Sequence, residues 1–357
     1  MAYALLTSGL RGNGQETLMP LTSVPIIDLS PYLGGTPEGK RSVAAEVKKA
    51  CEDIGFLIVS GHGVPDTLIN ETYDTAKAFF ARPLSEKMAV ERPAPDQVRG
   101  YSAVGGEGLS YSLDEPAPPD LKESLSIGPV DVPDGDPYFH GPEAGPHFAP
   151  NVWPKVPAEL KPTWTAYFRA MEKLAADLMR IFALALNLPE NFFDDKIDKH
   201  ISMFRALQYP NQPDAPEKGQ LRAGAHSDYG SLTILRQENA PGGLQVQTKE
   251  GEWVDVAAIP GTFVVNIGDL MMQWTNDTWI STMHRVVNPP RDKANNANRI
   301  SLVFFHQPNY DTMVSCLDGC AAPGEKPKYA PISSGDHLTS KFVKQTTLGA
   351  AVEAATS

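Results

Sequence analysis

The sequence predicts a mixed α/β protein with an all-β core: a curled antiparallel sheet carrying helices on its outside. Three observations predict it. Residues 157–187 place Leu160, Trp164, Tyr167, Phe168, Met171, Leu174, Leu178, Ile181 and Phe182 on one helical stripe. From Ile201 to about Tyr310 the apolar rhythm changes to period two. Turn residues then separate short runs near 203–209, 231–236, 243–247, 262–267, 280–287 and 299–306, each of strand length.

The elements follow in order. Residues 1–22 read as a loose leader, and Val24-Pro-Ile-Ile-Asp28-Leu as a short strand. Helical spacing over 39–54 and 66–81 brackets a strand-like Phe56-Leu-Ile-Val-Ser60. Between Glu91 and Trp153 prolines and glycines are dense, which predicts a long irregular stretch serving as a lid or packed surface loop. The stripe at 157–187 is a support helix for the sheet. The chain thus divides into an N-terminal helix/strand region with its lid loop, 1–153, and a region of long helix, catalytic core and C-terminal segment, 154–357. The two are expected to form one integrated catalytic unit.

Composition narrows the function. The 357 residues hold 43 acidic against 31 basic side chains, a net charge of −12, which argues against nucleic acid or an anionic membrane as partner. A small molecule remains as the expected partner; the oligomeric state is left open. Three cysteines, Cys51, Cys316 and Cys320, suit a reducing compartment, and Cys316-x3-Cys320 lacks a second pair for a zinc site. The start, Met1-Ala-Tyr-Ala-Leu-Leu, is a poor signal peptide, and no apolar run could span a bilayer. A cytoplasmic protein is expected.

Chemistry concentrates in Arg222-Ala-Gly-Ala-His226-Ser-Asp228-Tyr-Gly. In an extended strand His226 and Asp228, at i and i+2, leave the same face. His284 follows in a second strand-like run. Two histidines and one carboxylate, with no fourth ligand, are the parts of a facial triad for non-haem Fe(II), leaving positions for a cosubstrate and O2. The same three groups could instead hold zinc for hydrolysis. Arg299 and Ser301 share a strand face with Val303 and Phe305. A guanidinium beside a hydroxyl is a carboxylate clamp; alternatively, a core acid such as Asp269 satisfies Arg299. His62, His140, His147, His200, His306 and His337 read as surface or satisfied core histidines.

His226-x-Asp228, His284 and Arg299-x-Ser301 together resemble the isopenicillin-N-synthase-like family of Fe(II)/2-oxoglutarate dioxygenases. Val24-Pro-Ile-Ile-Asp28-Leu, Cys51-Glu-Asp-Ile-Gly55-Phe-Leu-Ile-Val-Ser-Gly-His62-Gly, Gln208-Tyr209-Pro210, Gly242-Gly-Leu-Gln-Val and Val265-Asn-Ile-Gly-Asp269 extend the resemblance over nearly the whole chain. It implies a double-stranded β-helix, or jelly roll, with iron in its mouth. His226, Asp228 and His284 would bind Fe(II). Arg299 and Ser301 would hold the distal carboxylate of 2-oxoglutarate, with Tyr209 near cosubstrate or substrate. Many plant members carry Asn where this chain has Leu207, so the grip on the cosubstrate's metal end differs.

Within the family the chain is most similar to the thymine-hydroxylase branch, through Asp120-Leu-Lys-Glu-Ser-Leu-Ser-Ile-Gly128, Arg222–Thr233 and Trp274–Val287. The resemblance assigns Tyr229, Phe305 and Arg205 to the substrate ring; Phe305 as plain core and Arg205 paired with an acid are the alternatives. It implies an oxygenase that hydroxylates a C–H bond of a small molecule, a pyrimidine or another planar ring, while 2-oxoglutarate becomes succinate and CO2. Oxidative ring closure or desaturation on the same fold, with or without 2-oxoglutarate, is the first alternative. A non-catalytic small-molecule-binding barrel is the second. The loop 91–153 and the segment around His337–Lys344 are the expected lids.

Overall fold

Alternation along two strands organises the molecule. In the computed structural model, which describes residues 24–94, 97–110, 118–322 and 324–342, Met203–Tyr209 and Arg299–His306 pair antiparallel from Arg299 opposite Tyr209 to Phe305 opposite Met203. Phe204, Ala206, Ile300, Leu302 and Phe304 go to one face and join the main apolar core. Arg205, Leu207, Tyr209, Arg299, Ser301, Val303 and Phe305 go to the other and line a cavity. Period two thus separates core from site along both strands.

The strands of the two main sheets in chain order are β1 (Ile26–Asp28), β2 (Phe56–Ser60), β3 (Gly100–Ser102), β4 (Glu123–Ile127), β5 (Met203–Tyr209), β6 (Ala223–His226), β7 (Leu232–Gln237), β8 (Leu244–Gln247), β9 (Trp253–Asp255), β10 (Phe263–Ile267), β11 (His284–Val286) and β12 (Arg299–His306), with a separate two-stranded ribbon of Met313–Val314 and Ile332–Ser333. A large sheet runs β1-β2-β10-β7-β12-β5-β4-β3 and a small one β6-β11-β8-β9. The two sheets form a double-stranded β-helix with flanking helices. Residues of both line the cavity between them.

The helix Leu160–Ala185 covers the outer face of the large sheet. Its stripe is buried as the periodicity predicts, with Trp164 edge-on to Phe204 (centroids 4.9 Å apart) and Phe168 edge-on to Phe304 (5.2 Å). Truncating one such ring to alanine costs about 3–5 kcal/mol through lost burial and the hole left behind. The helix Pro37–Asp53 starts where Thr36 accepts a 3.1 Å bond from the Gly39 amide, with Pro37 at the first helical position. It packs against the long helix, as does the helix Asp66–Phe80.

Three expectations are corrected. The stretch 91–153 is not structureless: β3 and β4 lie within it, and Leu125 and Ile127 are fully buried. Among the described residues its prolines and glycines fall outside the strands, apart from Gly100, which opens β3. The run 280–287 is strand only over His284–Val286. Ahead of it Trp279 turns into the core against Phe182 (5.2 Å), and Thr282 donates to the Ile54 carbonyl. That crossing needs Gly55: its φ is +68°, and a Cβ there would stand 2.0 Å from the Ile280 oxygen. Third, His226 and Asp228 do not share a strand, because β6 ends at His226. The expected leader, 1–22, and the lid residues beyond 342 lie outside the described residues. Among the described residues no helix is long and apolar enough to cross a membrane.

Candidate active site

Strand pairing sets two imidazoles side by side. His226 closes β6 and His284 opens β11, directly opposite in the antiparallel register, with ring centroids 4.2 Å apart. Asp228 reaches the same point from the turn after β6. That turn is pinned by the Asp269 amide, which donates to the Asp228 carbonyl at 2.8 Å, and by the Gly268 amide, which donates to the Ser231 carbonyl at 3.0 Å. The carboxylate then stands 3.9 Å from His226 Nε2 and 3.8 Å from His284 Nε2. One ligand atom from each of the three lies within 4.8 Å of the others, and all three residues are buried.

The donor set suits a divalent metal. His226 Nδ1 bonds the Gly224 carbonyl at 2.8 Å and His284 Nδ1 bonds the Thr282 carbonyl at 3.1 Å. A carbonyl only accepts, so each Nδ1 carries the proton and each Nε2 lone pair is left for a metal. Burial, with His284 alongside, pushes the His226 pKa down to about 3, so this imidazole is neutral at physiological pH. Burial alone would raise the Asp228 carboxyl. The neighbouring imidazoles and hydrogen bonds from Asn266 and Thr233 outweigh it and lower the pKa. Asn266 Nδ2 donates to Oδ2 at 2.7 Å. Asn266 drew no attention in the sequence beyond Val265-Asn-Ile-Gly-Asp269; on β10 it is 3% exposed, and that burial, not its motif, marks it.

Arg299 is the second feature. It is 2% exposed, yet no carboxylate of the described residues forms an ion pair with it. Its Nη2 donates to Gln237 Oε1 at 3.1 Å and to Ser301 Oγ at 3.3 Å, its Nη1 to the Gly242 carbonyl at 3.3 Å, and Nε has no acceptor. The guanidinium lies 5.4 Å from the centre of the Tyr209 ring, its cross-strand neighbour. Asp269, offered from sequence as its counter-ion, instead accepts from Ser281 (2.8 Å) and Lys341 (2.7 Å). A buried cation with an orphaned donor is costly unless an anion completes it, and a ligand carboxylate fits that need.

Triad, Arg299, Ser301 and Tyr209 line one cavity of about 1120 Å³, together with Arg205, Tyr229 and Phe305. Arg205 does pair with an acid: Nη1 bonds Glu107 at 3.0 Å, while Nε bonds Ser126 at 2.9 Å. Arg92 pairs with the same Glu107 from the other side. Against the raising effect of burial, these arginines hold the Glu107 pKa at about 2. Leu207 lines the cavity as well and gives it an apolar wall beside Tyr209. Leu338 and Phe342, on the helix at 334–342, close it from the C-terminal side, and Lys341 ties that helix to Asp269.

Comparison with known proteins agrees with this geometry. Residues 24–156 match the model described as non-haem dioxygenase in morphine synthesis N-terminal, and residues 200–308 match the 2OG-Fe(II) oxygenase superfamily. The chain is 37% identical to a 2-oxoglutarate-Fe(II) type oxidoreductase of Emericella nidulans, over 91% of this chain and 90% of the relative. It is 32% identical to a homoarginine-6-hydroxylase of Oryza sativa subsp. japonica, over 90% and 97%. Among solved structures, that of Neurospora crassa T7H with alpha-KG and thymine superposes with a TM-score of 0.79 at 31% identity, covering 91% of this chain and 98% of that one. A putative 2OG-Fe(II) oxygenase family protein from Caulobacter crescentus gives 0.77 at 27%, covering 90% and 99%. The chain belongs to the 2OG-Fe(II) oxygenase superfamily and is an enzyme that depends on Fe(II) and 2-oxoglutarate.

Proposed function

We propose that the enzyme hydroxylates a C–H bond of a small planar ring, with a pyrimidine such as thymine as the first substrate to try. His226, Asp228 and His284 are the metal ligands in this reading. When bound, Fe(II) with 2-oxoglutarate and O2 supplies decarboxylation to succinate and CO2 and delivers an oxygen atom to the substrate. The chain's residues bind, orient and exclude water. The carbonyl bonds at Nδ1 hold both imidazoles in the tautomer a metal needs, and Asn266 fixes the carboxylate. Arg299 and Ser301 receive the distal carboxylate of 2-oxoglutarate, and Tyr209 walls that end.

The observation that carries the substrate class is the placing of Tyr229 and Phe305, two aromatic side chains, with Arg205 in the cavity that the triad lines. Aromatic walls with few polar groups suit a flat ring. The likeness to T7H, a protein solved with thymine and 5-formyluracil, supports it. A cationic aliphatic substrate of the homoarginine type is disfavoured, because the buried acid Glu107 is already claimed by Arg92 and Arg205. Zinc hydrolysis would leave Arg299 without purpose. Both segments of the chain contribute strands to the large sheet and residues to the cavity, which supports one catalytic unit. Its three cysteines are free thiols, and we read the protein as cytoplasmic. Succinate formation stimulated by thymine tests the reading; stimulation by homoarginine and not by thymine would replace it.

A further inference from the structure

Beside Arg299 and Arg205 the cavity holds a third buried cation, which the chemistry above does not use. Lys122 immediately precedes β4, is 4% exposed and lines the cavity. Among the described residues Asp120 is the one acceptor for its ammonium. Asp120 is itself 2% exposed and already built into the backbone: Oδ1 accepts from the Gly224 amide at 2.8 Å and Oδ2 from the Leu109 amide at 3.1 Å. The carboxylate therefore belongs to the wall, joining the loop before β4 to the strand that carries His226. The ammonium has three donors, and among the described residues Asp120 accepts from it.

Resting on the reading of a planar-ring substrate, we propose that Lys122 is a specificity-determining residue that donates a hydrogen bond to an oxygen acceptor on the substrate ring. The substrate class is thereby narrowed to rings bearing a carbonyl or an ionised oxygen, and cationic substrates are turned away. Position supports it. Lys122 lines the same cavity as His226 and as Glu107 of the Arg205 pair, and directly precedes the strand whose Ser126 bonds Arg205. Charge supports it too. Glu107 is held by Arg92 and Arg205, Asp120 by Lys122 and two backbone amides, and the other acids of the cavity away from the triad, Glu91 and Glu217, are exposed. A buried ammonium at this wall welcomes an oxygen acceptor and repels a guanidinium.

The test measures 2-oxoglutarate turnover by the Fe(II)-loaded enzyme against thymine and, separately, homoarginine, in wild type, Lys122→Met and Lys122→Arg. Lys122→Met leaves Asp120 with its two backbone donors, so the variant is expected to fold, which a thermal melt checks. If thymine accelerates the wild type, Lys122→Met should raise the KM for thymine about tenfold to a hundredfold, the worth of one charge-assisted hydrogen bond. Lys122→Arg should recover part of that loss, and the KM for 2-oxoglutarate should stay within about twofold. A thymine KM unchanged in Lys122→Met would overturn the proposal while the ring reading stands. A rise confined to the 2-oxoglutarate KM would overturn it too, by placing Lys122 at the cosubstrate. If homoarginine accelerates the wild type and thymine does not, the ring reading fails and the role of Lys122 in excluding cations is overturned with it. Acceleration by neither compound would count against both.

Discussion

His226 and His284 are register partners: they sit opposite each other on β6 and β11, and each donates Nδ1–H to the carbonyl of the residue two before it. The same local bond on two antiparallel strands aims both Nε2 lone pairs at one point, with Asp228 within 3.9 Å of each. The candidate metal site is thus a product of sheet register, and a shift of one residue would turn one imidazole to the other face.

Removing either imidazole should remove the metal. His284→Ala leaves two ligands, and turnover should fall to background, with iron lost on desalting. Metal content measured beside activity checks this. A variant that keeps both stoichiometric iron and turnover would show that the ligand lies elsewhere.

Asn266→Ala removes the 2.7 Å bond that orients the Asp228 carboxylate. Loss of such a supporting bond typically costs about 10–100-fold in metal affinity. An Fe(II) titration of activity should show a rightward shift of that size, recoverable at high iron. Unaltered iron dependence would mean that Thr233 and the turn orient Asp228 without it.

Arg299→Met should act on the cosubstrate. Truncating one member of a buried charged hydrogen-bonded pair costs about 2–5 kcal/mol, so the 2-oxoglutarate KM should rise about thirtyfold or more. The folded protein should tolerate the change, since no carboxylate among the described residues pairs with Arg299. Equal effects on cosubstrate and ring substrate KM would contradict the clamp.

Acid should destabilise the metal-free protein well above the range where carboxylates titrate. Burial pushes His147 and His337 down to about 4 and His226 to about 3, and holds His306, bonded to Ser231, well below its usual range. These groups stay neutral in the fold while the unfolded chain takes up protons below about pH 6.5. Their stabilisation is full above that pH and is lost as pH falls toward the folded values, at up to about 2 kcal/mol per histidine by pH 5. Thermal melts should show Tm falling from pH 7.5 to 5, less steeply in His306→Gln. A Tm that is flat or rises toward pH 5 would contradict this.

Legibility in the sequence followed burial. β5 and β12 were read to the residue because one face of each is core and the other cavity, so apolar and functional positions alternate strictly. β4 was hidden because all five of its residues are buried, and Ser124 and Ser126 on its cavity side read as loop. The place of Asp228 depends on Asp269 and Gly268, some forty residues away, and local periodicity carries no trace of them. Asp269 was a plausible counter-ion for Arg299 by charge alone; only packing reveals that Ser281 and Lys341 hold it.

The most direct measurement is succinate formed from 2-oxoglutarate by the Fe(II)-loaded enzyme in air, with and without thymine. The account predicts slow formation alone and clear acceleration by thymine, with hydroxylated ring appearing alongside succinate. Succinate formation that thymine leaves unchanged, while another class of small molecule accelerates it, would contradict the assignment of a pyrimidine-like ring to this cavity.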